Sequence, residues 1–227
     1  MPESPSLADP DTHLIFDCDG VLVDSEAIAI KVEESLLTEA GFAISANEIA
    51  NRFVGLSYAT MAAQLEEQFE RPLPEDLMEN VMRETLDRFP EELEPIDGIG
   101  SVLAASSLPR CVASSSKLDR IRLSLQLTEL DALFDHELIF SAQMVENGKP
   151  APDLFLFAAE HMGADPSTCI VIEDSPHGVT AGIAAGMVVV GLTAGGHATP
   201  ALGSRLLDAG ATTVVSNTQE LAAVLRS

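Results

Sequence analysis

The chain has 227 residues, 46% of them hydrophobic, with 36 Asp and Glu against 12 Lys and Arg and a formal net charge of −24. That length buries a substantial core, either as one large domain or as a domain with a smaller one inserted. The charge argues against nucleic acid or an anionic membrane as a partner, and no apolar run reaches the roughly 18 to 20 residues of a membrane span.

In chain order, residues 1–11 are rich in Pro, Ser and Asp and read as a loose leader. They carry no basic region followed by an apolar core, so no signal peptide is expected and the cytoplasm is the expected setting. Leu14-Ile15-Phe16 then runs directly into Asp17-Cys18-Asp19-Gly20. Three apolar residues in a row followed by Asp and Gly predict a strand buried on both faces that ends in a loop. Strand alternation sends Asp17 and Asp19 to one side and Cys18 to the other. Two readings fit the acidic pair. It is a solvated Asp-rich turn, or a reactive site in which a divalent cation neutralises the carboxylates or one of them is protonated as an acid.

From Glu26 to Phe89 helical periodicity recurs over 27–40, 46–53, 58–69 and 76–89, broken by Gly41, Gly55 and Arg71-Pro72-Leu73-Pro74. Pro90 to Pro95 closes this all-helical unit. Strands are then expected at 110–113, 137–140, 169–172, 188–190 and 213–215, alternating with helices at 100–106, 117–127, 153–162, 177–185, 200–209 and 218–226. The fold class predicted is α/β: a doubly wound, Rossmann-like parallel sheet covered on both faces. Its core takes residues 1–24 and 94–227, and residues 25–93 form a helical cap inserted over the carboxyl edge of the sheet. Cys18, Cys111 and Cys169 sit in short apolar runs without metal-site spacing, and are read as reduced, buried fillers.

Three later strand ends also carry polar groups, where ligands sit in open parallel sheets. Ser114-Ser115-Ser116-Lys117 opens a helix with hydroxyls and backbone N–H groups, as an anion site or as a plain helix cap. Lys149 lies in a turn stiffened by Pro150 and Pro152, as a fixed ammonium or as an exposed loop lysine. Glu173-Asp174-Ser175-Pro176 ends the 169–172 strand; capping explains Ser175 and Pro176 but not the two acids. If Asp17 and Glu173-Asp174 come from adjoining strands, four acids and one lysine converge. Hard oxygen donors of that kind suit Mg²⁺ and phosphoryl chemistry.

In Asp17-x-Asp19-Gly20-Val21-Leu22-Val23-Asp24-Ser25, in Ser114 after a strand, in Lys149-Pro150 and in Glu173-Asp174-Ser175, taken in that order, the sequence resembles the four motifs of the haloacid dehalogenase superfamily. The helical insert resembles the cap of its β-phosphoglucomutase-like branch, and the likeness runs from about residue 14 to the C-terminus. The resemblance implies that Asp17 is a nucleophile forming an aspartyl phosphate, and that Asp19 is the general acid and then base. It implies that Ser114, with Ser115 and Ser116 beside it, holds the phosphoryl group and that Lys149 offsets its charge. Mg²⁺ would bind Asp17, the backbone carbonyl of Asp19, and Asp174, with Glu173 a direct or water-mediated ligand.

Within that family, dehalogenases usually lack a carboxylate at the position of Asp19, which argues against carbon–halogen hydrolysis. Mutases of the branch are expected to carry a His soon after the first motif and an Arg after the Gly-x-Ser turn of the cap. Here those stretches read Ser25-Glu26-Ala27-Ile28-Ala29 and Gly55-Leu56-Ser57-Tyr58. The expectation is therefore a Mg²⁺-dependent phosphatase acting on a small phosphorylated metabolite, a sugar or sugar-acid phosphate, with a phosphosugar mutase as the alternative. A monomer is expected. Glu26, Arg52, Tyr58 and Gln64 are the candidate cap residues for the rest of the substrate, and the hinge is expected near 23–25 and 90–95. A signalling receiver module shares the acids, hydroxyl and lysine but fits the helical insert and Asp-Cys-Asp badly.

Overall fold

The computed structural model describes residues 11–53 and 58–226; the side chains of residues 58 and 59 also lie outside the described set. Strand β1 (His13–Phe16) is followed by helices α1 (Ser25–Glu39), α2 (Ala46–Arg52), α3 (Tyr58–Phe69) and α4 (Leu77–Glu92). The chain continues through α5 (Ile99–Ala105), β2 (Arg110–Ser114), α6 (Leu118–Leu127), β3 (Ile139–Ser141), α7 (Asp153–Met162) and β4 (Cys169–Glu173). It ends in α8 (Pro176–Ala184), β5 (Val188–Leu192), α9 (Leu202–Asp208), β6 (Thr213–Val215) and α10 (Thr218–Val224).

The strands form one six-stranded parallel sheet in the order β3-β2-β1-β4-β5-β6. The apolar run of β1 is buried on both faces, as its lack of polar alternation requires. Leu14 and Phe16 join Ile99, Val102, Ile121 and Leu221 from α5, α6 and α10 in one core. Ile15 joins Leu154, Phe155, Val179 and Leu206 from α7, α8 and α9 in the other. Each fully buried side chain of this size contributes about 1.5–3 kcal/mol of transfer free energy, so β1 is anchored in both cores.

The helices α1 to α4 keep a core of their own, built on Ile30, Leu37, Phe42, Ile49, Phe53, Met61, Leu65 and Val81. At the start of α2 the Ser45 hydroxyl accepts from Glu48 N at 3.3 Å while the Glu48 carboxylate accepts from Ser45 N at 3.1 Å, a reciprocal cap. The two chain crossings between insert and sheet are tied together: Asp24 N donates to Glu94 O and Ile96 N to Leu22 O, each at 2.9 Å. Helix α4 runs through Pro90 to Glu92, past the proline expected to end it. Burial of Phe89 and Leu93 against the sheet core holds this last turn, and only two helical residues follow the missing N–H.

Candidate active site

Because β4 lies beside β1, with Phe16 opposite Ile172, the residues that follow each strand meet at one carboxyl edge. Asp17 N donates to Ile172 O at 3.0 Å, which fixes the start of the first loop. Asp17 is 7% exposed and Glu173 0%. The ammonium of Lys149 sits between them, 2.7 Å from Asp17 Oδ1, 2.8 Å from Glu173 Oε1 and 3.0 Å from Ala113 O. The second oxygen of Asp17 has no hydrogen-bond partner among the described residues. Burial works against a charged lysine, but Asp17 and Glu173 outweigh it and raise the Lys149 pKa, which favours the ammonium.

Burial also pushes Asp17 well above the ordinary carboxylate value; Lys149 pulls it back, and Glu173, Asp174 and Asp19 push it further up. Asp174 is raised first by burial. Asp17, Glu173 and Asp174 place one oxygen each within 4.8 Å of one another, three buried acids against one lysine. Crowded hard oxygen donors short of positive charge fit a divalent cation such as Mg²⁺. Glu173 is the least free of the three, since its other oxygen accepts from Ser175 N at 2.8 Å and Ser175 Oγ at 2.9 Å. Gly20 passes so close that a Cβ there would lie 1.9 Å from Asp174 Oδ2.

Asp19 faces the same space but is held apart from Asp17. Ser116 Oγ donates to its Oδ2 at 2.6 Å, while Ser25 Oγ and Arg120 Nη2 donate to its Oδ1, the latter at 2.9 Å. Burial would raise its pKa; Arg120 and the two hydroxyls outweigh burial and hold it below the ordinary carboxylate range. Ser114 Oγ accepts from Ser116 N at 3.1 Å, and Ser141 Oγ donates to Ser116 O at 2.6 Å, so the turn ahead of α6 is rigid.

These groups floor a cavity of about 550 Å³, with Asp17, Asp19, Ser114, Ser115, Ser116, Lys149, Glu173 and Asp174 all in its wall. From the insert, Glu26, Ile30, Phe53, Thr60, Met61 and Met78 close it over. Arg52 does not line it: the guanidinium donates to Gln68 Oε1 at 2.8 Å and lies over the Phe53 ring. Gln64 is exposed on α3, and the Tyr58 side chain lies outside the described residues.

Among the residues in or beside the site that had no role read from the sequence are Arg120, Ser25, Glu33 and His197. Arg120 and Ser25 hold Asp19. Glu33 lines the cavity one helical turn beyond Ile30. His197, 3% exposed, places Nε2 3.1 Å from Asp174 Oδ2. The Gly195-Gly196-His197 run after β5 is the one signal that could have pointed to the histidine, being another polar strand end. Cys18, Cys111 and Cys169 are free and buried.

With this geometry the comparisons agree. The chain belongs to the haloacid dehalogenase-like hydrolases, whose family model matches residues 14–192. It is 37% identical to the "Probable pseudouridine-5'-phosphatase" of Drosophila melanogaster over 79% of this chain and 80% of that one. It is 32% identical to the 6-phosphogluconate phosphatase of Escherichia coli K12 over 82% and 85%. A conserved haloacid dehalogenase-like protein of unknown function from Agrobacterium tumefaciens superposes with a TM-score of 0.89 at 40% identity, covering 94% of this chain and 96% of that one. Solved neighbours also include a β-phosphoglucomutase-like protein of Thermotoga maritima, with a TM-score of 0.73 at 26% identity and coverage of 95% and 98%.

Proposed function

We propose that the protein is a Mg²⁺-dependent phosphatase that hydrolyses a small phosphorylated metabolite, a sugar or sugar-acid phosphate, through an aspartyl phosphate on Asp17. The observation that carries this is Asp17 at the floor of the cavity, with Lys149 at 2.7 Å and the Ser114–Ser116 turn beside it. Asp17 attacks phosphorus with its unpaired oxygen while the bond to the leaving oxygen breaks, and Asp19 gives that oxygen a proton. Asp19 then takes a proton from water, whose oxygen displaces Asp17 and frees inorganic phosphate. Ser114 and the N–H groups of its turn hold the phosphoryl oxygens, and Lys149 offsets the charge that develops on them. Asp17, the backbone carbonyl of Asp19, and Asp174 would hold Mg²⁺, with Glu173 acting through water because both its oxygens are engaged. When bound, Mg²⁺ supplies the positive charge that lets an anionic nucleophile approach an anionic phosphate.

Residues 25–93 serve in this reading as a cap that shields the reaction from water, hinged near 23–25 and 90–95. The reading places a monomer in the cytoplasm, consistent with three reduced cysteines. Among the described residues no helix is long and apolar enough to cross a membrane. Hydrolysis is favoured over a mutase because a mutase must grip a second phosphate through the cap, and among the described residues no Lys or Arg of the insert lines the cavity.

The test is phosphate release from purified protein with Mg²⁺, using p-nitrophenyl phosphate and a panel of phosphate esters. Asp17→Asn is expected to fall to background with an unchanged circular dichroism spectrum. Substantial residual turnover would sink the nucleophile assignment, and glucose 6-phosphate formed from β-glucose 1-phosphate without net phosphate would establish the mutase instead.

A further inference from the structure

On one face of α1, Glu26, Ile30 and Glu33 follow each other at helical spacing and all line the cavity. Neither carboxylate has a hydrogen-bond or ion-pair partner among the described residues. Around them the insert contributes apolar surface, Phe53, Met61 and Met78. Its five cations are all elsewhere. Lys31 is exposed, and Arg52 is engaged with Gln68. Arg71 donates to Ala40 O and lies over the Phe42 ring, while Arg83 and Arg88 pair with Glu84 and Glu92. The insert has no histidine, and residues 54–57, outside the described set, include no charged residue. On the sheet side, Arg120 gives Nη2 to Asp19 and also acts on Glu26 through its charge, and Lys149 is committed to Asp17 and Glu173.

Resting on the phosphatase reading above, we propose that Glu26 and Glu33 are specificity residues that make the leaving-group half of this cavity select esters whose non-phosphate part is uncharged or cationic and carries hydrogen-bond donors, and reject those bearing a carboxylate or second phosphate. A carboxylate can only accept, so hydroxyl, amide or ammonium groups satisfy these two, while a second anion meets like charge inside the same cavity. The apolar residues between them fit the carbon face of a polyol or a base ring. Burial pushes both carboxyls up to about 7, with Asp19 and then Asp174 adding to it at Glu26 while His197 and Arg120 pull it back, and Glu26 adding to it at Glu33. Both are therefore only partly ionised at neutral pH and become full carboxylates above it, so the esters are compared at about pH 8. The pocket therefore separates this chain from the activity named for its 6-phosphogluconate phosphatase relative, and narrows the sugar and sugar-acid class to its uncharged members.

The experiment compares kcat/KM of the full-length protein, with Mg²⁺, within matched pairs: glucitol 6-phosphate against 6-phosphogluconate, glycerol 3-phosphate against 3-phosphoglycerate, and phosphoethanolamine against phosphoglycolate. The uncharged or cationic member is expected to exceed the acid by about tenfold or more in every pair, one unfavourable charge contact being worth about that factor. Glu33→Gln and Glu26→Gln are each expected to narrow the gap several-fold. Acids turned over as well as their partners, or a gap unchanged in both folded variants, would overturn the proposal while leaving the phosphatase reading in place. So would turnover of p-nitrophenyl phosphate with none on the uncharged members. No turnover of any ester, p-nitrophenyl phosphate included, would instead overturn the phosphatase reading on which the proposal rests.

Discussion

Asp19 is asked first to give a proton and then to take one, yet Arg120, Ser116 and Ser25 hold it as a carboxylate. Only the second task suits that state. The first needs Ser116 and Arg120 to release it, and Ser116 lies in the cavity wall where the proposed phosphoryl group would sit. Replacing Arg120 by Leu removes the largest force opposing burial, so the Asp19 pKa rises and the basic limb of the pH–rate profile moves to higher pH. An unmoved limb in a folded variant would exclude Arg120 as a positioning residue. Asp19→Ala should cost about 10²–10⁴ in rate on alkyl phosphates, whose leaving oxygen needs the proton, and far less on p-nitrophenyl phosphate. Equal losses on both would exclude the acid role. Glu33 allows a second test, of stability. Its folded pKa of about 7 stands above the ordinary 4.5, so its contribution is fully present below pH 4.5 and is lost as pH climbs through 7. Allowing for its partial exposure, Glu33→Gln should stabilise the protein by about 1–2 kcal/mol more at pH 8 than at pH 5.5, read by urea unfolding at the two values. A pH-independent effect would mean that Glu33 is solvated.

At the scale of elements, helix α8 sits against the carboxyl edge of β4 through Gly178, where an added Cβ would lie 1.6 Å from Glu173 Oε1. Gly178→Ala should therefore cost about 1–3 kcal/mol of stability by overpacking, and should lower activity by displacing the carboxylate that holds Lys149. Stability lost with activity intact would detach Glu173 from the site. The glycine was unremarked in the sequence, whereas the acids it packs against were plain, and the difference is physical. An apolar run that stops at a charge announces a buried strand and its end in adjacent residues, so β1, β2 and β4 and their site groups could be read locally. Strand order could not, since nothing in β4 itself says that it lies beside β1. Arg120 and Asp19 are 101 residues apart, Ser116 and Asp19 97, so these contacts exist only once the sheet has formed. Pro90 misled for the same reason: local chemistry argued for an end at the proline, and packing of Phe89 and Leu93 carried α4 past it. Arg52 looked like a cap ligand by charge alone, and its pairing with Gln68 across α2 and α3 is tertiary.

For the whole molecule, a formal charge of −24 on 227 residues means that the folded chain concentrates negative charge, most sharply where Asp17, Glu173 and Asp174 converge in the interior. The unfolded chain spreads the same acids through water. A divalent cation is therefore expected to bind the folded form preferentially and to stabilise it by mass action, by about 2.7 kcal/mol at a hundred times its Kd. For a chain of this size that is a rise in Tm of roughly 5–10 °C. Two effects contribute to any such rise, and they separate cleanly. General screening of surface acids depends on ionic strength and is reproduced by NaCl, while occupation of the site depends on the carboxylates that form it. Thermal unfolding in Mg²⁺ and in NaCl of matched ionic strength should therefore differ in the parent protein, with Mg²⁺ giving the larger shift. Asp174→Asn should bring the two curves together by removing one charged ligand, with no loss of the NaCl effect. If Mg²⁺ and NaCl raised Tm equally in the parent, the three acids would be an electrostatic burden without a resident cation, and the reading of Asp17 as a nucleophile screened by Mg²⁺ would fall with it.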